Sequence, residues 1–288
     1  MTSDQTNYGD MGKLTVCPTF SEEIMGVRTS LKLPKEHGAW AMLYVPFVMG
    51  ILVAGSLSGR VLLLGLAMTF VFIARESLLI WWRARQRGRG SGGARALMLV
   101  YFGLAALAGT PLMIFHHLSW LIPLGLLVMV LLAVNTLQAG QREDRTVLGE
   151  SLAILGLTLA APAAHYVARG RWEVVAFWLW ALSALYFASS IFYVKLRVLA
   201  LSPRKEQARQ RAWWHCACYH AFLLVSLFAL AVTGNIHLFA LIAFAPVLAR
   251  ALWSLMRPAG QSNLRRVGVL EICYSLVFLV FMTLTFRP

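Results

Sequence analysis

Four clusters of ionisable and amide residues interrupt a chain that is otherwise strongly apolar: Lys35-Glu36-His37, Arg75-Glu76, the run from Asn135 to Glu150 with Gln138, Gln141, Arg142, Glu143, Asp144 and Arg145, and Tyr193-Val194-Lys195-Leu196-Arg197. Each stands at the edge of a long apolar stretch. Charge there is costly, and the residues that carry it usually face a protein interior or a water-filled cavity. Their types suit the handling of an anionic head group. Arginine pairs with phosphate oxygens through two parallel hydrogen bonds and lysine acts as a point charge, while a nearby carboxylate or imidazole can take a proton from an acceptor. On this reading Lys35, Arg75, Glu76, Asn135, Arg142, Arg145, Tyr193, Lys195 and Arg197 bind substrate, and Glu36, His37, Glu143 and Glu150 are the candidate general bases.

Each cluster also has a plainer structural account. Pro34 precedes a helical first turn, Glu36 suits the positive end of that helix and Trp40 anchors at the interface. Arg75 and Glu76 can pair locally, and Lys195 and Arg197 can snorkel to the membrane surface. These accounts leave His37 beside Gly38 without a purpose, and a helical turn alone does not ask for so many polar groups between Asn135 and Glu150. Glu150 lies inside the next apolar run, about one turn past Arg145, within reach of a buried ion pair. On a helix Tyr193 and Arg197 share a face and Lys195 points roughly 200° away from Tyr193. His215, Cys216, Cys218 and His220 invite a metal reading, but only Cys216 and His220 share a helix face, and two ligands do not make a structural zinc site. No residue is assigned to a metal.

The elements that must position these groups follow from composition. Of 288 residues, 59% are hydrophobic and 13% charged, with a mean hydropathy of +0.68, far from the balance of a soluble domain. Runs of roughly 20 apolar residues recur, each long enough to cross a hydrocarbon layer of about 30 Å. They lack the alternation of barrel strands, so helices are the spanning element. The expected fold is an all-α polytopic membrane bundle with nine spans, at about 37–56, 61–82, 95–114, 118–138, 147–167, 173–195, 214–233, 236–256 and 267–286. Residues 1–33 read as a loose cytoplasmic tail without a secretory signal, and 34–288 as one membrane domain. Arg83–Arg95 reads as a flexible basic loop, and Pro203–Arg211 as a longer one able to form a short surface helix.

Of the 26 lysines and arginines, 22 fall on the side of the tail and its companion loops and four, Arg60, Arg169, Arg171 and Arg287, on the other. Cytoplasmic loops carry the positive excess, which predicts a cytoplasmic amino terminus and, with nine crossings, an external carboxyl terminus. The formal charge of +14 is thus chiefly a topology signal and an attraction to anionic lipid. No nucleic-acid partner is expected, because the basic residues are scattered over short loops rather than gathered on a soluble face. Four scattered cysteines suggest no disulfide framework.

Pro34-Lys-Glu-His-Gly-Ala-Trp40, Arg145-Thr-Val-Leu-Gly-Glu150 and Tyr193-Val-Lys-Leu-Arg197 resemble the YwiC-like bacterial membrane proteins, along nearly all the spans. A more distant resemblance is to the UbiA-type intramembrane prenyltransferases, nine-helix proteins with a polar site at the cytoplasmic mouth. It rests on four regions in chain order: Lys35 to Pro46, Arg75 to Arg83, Asn135 to Gly149 and Ser189 to Arg197, where Tyr193 matches that superfamily's tyrosine. Those enzymes hold magnesium between two aspartate-rich motifs and a prenyl diphosphate. Here a single carboxylate, Glu76, stands at the first motif and Lys195 and Arg197 stand at the second. The resemblance therefore implies no cofactor with that motif pair, although magnesium stays conceivable. It implies a polyprenyl or other lipid-tailed anionic substrate among membrane lipids at a bacterial cytoplasmic membrane. Prenyl transfer and non-catalytic lipid or quinone carriage both remain open, and the sequence is silent on oligomeric state.

Overall fold

The computed structural model describes residues 37–88, 90–140, 146–200, 206–256 and 264–286. Its helices are α1 (His37–Ala54), α2 (Gly59–Gln86), α3 (Gly92–Ile114), α4 (Leu121–Gly140), α5 (Val147–Thr158), α6 (Ala160–Arg169), α7 (Val174–Ala200), α8 (Glu206–Val232), α9 (Leu238–Met256) and α10 (Leu264–Phe286). The described residues contain no strand. Eight stretches, with α5 and α6 taken together, are long and apolar enough to cross a membrane, and α1 is a shorter apolar helix. The all-α polytopic expectation is met.

Three departures from the expected spans have a local reason. The basic segment after the second span is helical as far as Gln86, because Trp81 to Gln86 contains no glycine or proline and the first flexible point is Gly88, at φ 63°. Helix α8 opens at Glu206, well before the expected 214, so part of the second basic loop is its first turn. The fifth span is two helices. Pro162 has no N–H to offer the carbonyl of Thr158, the ladder breaks there, and the Thr158 hydroxyl bonds back to the carbonyl of Ile154 at 2.8 Å.

Two apolar cores flank α1, which is hydrophobic all round and therefore central. Val45, Met49 and Val53 pack with Leu179, Leu182, Leu223, Phe244 and Phe278 of α7 to α10. Leu43, Phe47 and Ala54 pack with Val61, Leu64 and Phe72 of α2 and with the alanine-rich α6, which is buried from Ala160 to Ala168. Helices α1 and α6 approach at Gly50, where a Cβ would lie 2.4 Å from the carbonyl oxygen of Ala161. Small residues allow such approach, and dispersion between close backbones then holds the pair. Helix α3 packs along α2 but barely touches α4, although a short turn joins the two.

Candidate functional site

Between α1, α2, α3, α4, α5, α6 and α7 lies a cavity of about 1730 Å³. Along α2 its lining runs from Leu64 to Gln86, about 33 Å at 1.5 Å per residue, comparable to the thickness of the hydrocarbon layer. Most of the wall is apolar, with Met42, Met68, Met113, Met129, Phe72 and Phe102 among its larger groups and Ala106, Gly109, Gly125, Ala153 and Gly156 among its smallest. The charged residues gather in one half, from Arg75 onward along α2, where Arg75, Glu76, Arg83, Gln86, Arg87, Asn135, Glu150 and Lys195 line it.

That half is organised by a chain of bonds across four helices. Arg75 on α2 pairs with its neighbour Glu76 through Nη1 at 3.2 Å, and its Nη2 donates to Asn135 Oδ1 on α4 at 2.9 Å. Asn135, 3% exposed, donates from Nδ2 to the carbonyl of Gly149 in the first turn of α5 at 3.1 Å. The N–H of Gly149 in turn donates to the capping hydroxyl of Thr146 at 3.1 Å. This fixes the start of α5 and presents the next residue, Glu150, which meets Lys195 of α7 at 3.2 Å. Four cations, Arg75, Arg83, Arg87 and Lys195, thus line the cavity with two carboxylates, Glu76 and Glu150, among the described residues. The balance favours an anion.

Of the residues expected to form the site, Arg75, Glu76, Asn135, Glu150 and Lys195 come together. Tyr193 and Arg197 do not line the cavity. The roughly 200° between Tyr193 and Lys195 on the helix turns Tyr193 to the far side of α7, where its ring lies 4.4 Å from the guanidinium of Arg250. Arg197, four residues on, follows Tyr193 rather than Lys195. Lys35, Glu36, Arg142, Glu143 and Arg145 lie outside the described residues. His37 opens α1, and Gly38 beside it lines the cavity.

Behind α7 is a second polar cluster that the sequence reading missed. Arg250 of α9, 8% exposed, forms an ion pair with Glu271 of α10. Its Nη2 also donates to Ser190 Oγ at 3.2 Å and lies 3.4 Å from Ser189 Oγ, and Ser190 Oγ donates to Glu271 Oε2 at 2.8 Å. Counting Arg250 with the basic loop after it places it at the surface. The signal available was an arginine and a glutamate, each inside one of the last two apolar runs. Neighbouring α8 carries Cys216 and His220, with Sγ and Nδ1 3.6 Å apart, and no group of three metal-ligating side chains occurs among the described residues.

A magnesium ion shared with a diphosphate takes carboxylate and water oxygens in octahedral geometry. The described cavity residues offer Glu76 and Glu150, on different helices and each paired with a cation, and these do not make the paired-motif donor set of the UbiA-type enzymes.

At the opposite end of the bundle, Glu173 joins α6 to α7. Arg171 Nε donates to it at 2.7 Å, and Arg169 Nε and His165 Nε2 lie at 3.6 and 3.7 Å. The hydrogen bond from Arg171, with the positive charge of Arg169, holds the Glu173 carboxyl below its ordinary pKa against the opposing pull of desolvation.

Comparison with known proteins places this architecture. A family model described as YwiC-like protein matches residues 33–165, the segment that supplies every wall of the cavity except α7. A protein of Bacillus subtilis (strain 168) described as uncharacterized protein YwiC is 27% identical over 254 residues, covering 88% of this chain and 97% of its own length. A protein of Haemophilus influenzae described as an uncharacterized protein is 23% identical over 258 residues, with the same two coverages. No solved structure matches. The family match lies over the helices that build the cavity and both bacterial relatives align along most of the chain, so the chain is similar to YwiC-like protein from α1 into α6 and to these two relatives along most of its length.

Proposed function

We propose that the cavity binds a lipid-tailed phosphate or diphosphate, a polyprenyl phosphate ester being the best fit, with the head group at Arg75 and Lys195 and the tail along the apolar wall toward Leu64. The observation that carries this reading is the polarity of the cavity: its cations are confined to one half, from Arg75 onward on α2, and the other half, from Leu64 up to Arg75, is an apolar space about 16 Å long. Its volume, about 1730 Å³, exceeds the roughly 300–1,000 Å³ of an ordinary small-molecule pocket. Methionines in the wall suit a flexible tail, being unbranched and polarisable. The positive excess of the loops at the head-group end supports a mouth that faces the cytoplasm, with the amino terminus on the same side.

The chain order of the polar helix ends supports a UbiA-like arrangement and, with it, prenyl transfer. Without the aspartate motifs, Arg75 and Lys195 would have to stabilise the leaving diphosphate electrostatically, with Glu150 as the described carboxylate nearest the head group. One observation favours a second reading, non-catalytic carriage of a lipid or quinone. Both described carboxylates of the cavity are engaged by cations, which leaves fewer of their oxygen lone pairs open to an acceptor proton or a metal.

Purified protein in lipid nanodiscs, incubated with geranylgeranyl diphosphate and a phenolic acceptor with and without magnesium, separates the two. Pyrophosphate release that is abolished in Lys195→Ala and Arg75→Ala supports the transferase. Retention of intact diphosphate, weakened by the same substitutions, supports the carrier. Binding unaffected by either substitution overturns the head-group assignment.

A further inference from the structure

Ser190 is a member of the second polar cluster that also borders the cavity. It lines the cavity on α7, and its hydroxyl is held from behind by the Arg250–Glu271 pair. An ion pair at this depth in a membrane bundle is expensive, and its members usually serve the protein's interior chemistry. The purely structural alternative is a pin that joins α7, α9 and α10.

The bonding of Ser190 limits what its hydroxyl can offer the cavity. A serine hydroxyl has one hydrogen to donate and two lone pairs with which to accept. Its hydrogen goes to Glu271 Oε2 at 2.8 Å, and one lone pair accepts from Arg250 Nη2 at 3.2 Å. One acceptor position is left and no donor. Such a hydroxyl can receive a hydrogen bond from a ligand but cannot give one.

The neighbours hold that state in place. Arg250 is fixed by the Tyr193 ring at 4.4 Å and by Ser189, and Ser189 is itself anchored to the carbonyl of Tyr186 at 2.7 Å. Glu271 is turned toward α7 by its own side-chain contacts, the ion pair with Arg250 and the hydrogen bond from Ser190.

We propose that Ser190 forms a second subsite in the cavity, specific for a hydrogen-bond-donating head such as a phenol or another hydroxylated lipid, and that Arg250 and Glu271 are the positioning residues that set this preference. The subsite lies beside the phosphate end rather than within it, since Ser190 stands five residues before Lys195 on α7, about 7.5 Å along the helix axis. This inference rests on the reading that the cavity takes a lipid-tailed ligand. It adds that a second, uncharged ligand with an O–H enters the same space.

The test uses para-dodecylphenol and its methyl ether, which share a tail and differ by one donor hydrogen, each bound to the full-length protein in nanodiscs. The expected result is about tenfold tighter binding of the phenol, the order of one buried hydrogen bond. Ser190→Ala brings the two ligands to equal affinity. The double variant Arg250→Met with Glu271→Leu replaces the buried pair by apolar groups of similar volume, an exchange that folds tolerate. Because it frees the Ser190 hydrogen to bond the ether oxygen, selectivity disappears while the melting temperature is kept. A purely structural pin predicts selectivity unchanged in both variants, and that outcome overturns the proposal. Equal binding of the two ligands to the unmodified protein also overturns it and leaves the tail-binding cavity intact, whereas failure of both to bind removes the cavity reading as well.

Discussion

Replacing Asn135 with alanine removes the residue through which α2, α4 and α5 are joined at the polar end of the cavity. Two hydrogen bonds go: the one from Arg75 Nη2 at 2.9 Å and the one to the Gly149 carbonyl at 3.1 Å. The second is buried and leaves an unpaired carbonyl, and the first has a charged partner whose side chain is 27% exposed, so water recovers part of it. Taking about 1–1.5 kcal/mol for the buried bond, less for the partly exposed one, and adding about 1 kcal/mol or more for the buried carbonyl left unpaired gives a loss of about 3 kcal/mol. For a chain of this size that corresponds to a melting temperature lower by about 6 °C or more. The cleaner readout is a double-mutant cycle with Arg75→Ala, in which the coupling isolates the Arg75–Asn135 bond. A coupling of about 1–2 kcal/mol is expected from a partly exposed charged hydrogen bond. The assay is thermal unfolding of the four proteins in identical nanodiscs, with affinity for a polyprenyl phosphate measured in parallel. Additive effects, with coupling near zero, would refute the chain of bonds from Arg75 to Glu150, and an unchanged affinity in Asn135→Ala would refute its role in presenting Arg75.

Three further outcomes follow from the geometry. Gly50→Ala places a Cβ 2.4 Å from the Ala161 carbonyl and 3.0 Å from the Ala164 Cβ, so α1 and α6 must separate; about 1–3 kcal/mol is lost, read as a lower melting temperature and less monodisperse protein. Gly125→Leu meets no atom within 4 Å of its Cβ and points into a cavity wall, so the melting temperature holds while binding of long-tailed ligands weakens, measured by ligand titration. Glu173, whose folded pKa is depressed chiefly by the Arg171 hydrogen bond, contributes stability that is fully present above its ordinary value of 4.5 and fades as pH falls through the lower folded value. Unfolding measured from neutral to acid pH should show that loss in the unmodified protein and a flatter acid limb in Glu173→Gln.

The bundle was legible because every span is a run of apolar residues that lipid alone can cover, and because loop arginines mark one side. The polar end was legible in part for the same reason: Arg75, Asn135, Glu150 and Lys195 each break an apolar run, and a charge in such a place has few partners other than another one. What failed was angular. Tyr193 and Lys195 are two residues apart, so they occupy opposite sides of α7, and proximity in sequence misled where helical period decides. Arg250 and Glu271 were hidden for a different reason: their partnership links neighbouring helices, and a single sequence holds no signal of which face of α9 meets α10. The break at Thr158 was written in Pro162, but its effect on the carbonyl four residues back shows only once the ladder is drawn.

The slight contact between α3 and α4 has a bearing on how the molecule is handled. Where two helices that border a chamber do not close on each other, acyl chains of a surrounding bilayer would complete the partition between them, and on the proposed lipid-binding reading those chains would share in holding the ligand. Extraction into a short-chain detergent would then alter that partition, so ligand occupancy measured in micelles and in membranes of differing acyl length should diverge even for one unaltered polypeptide.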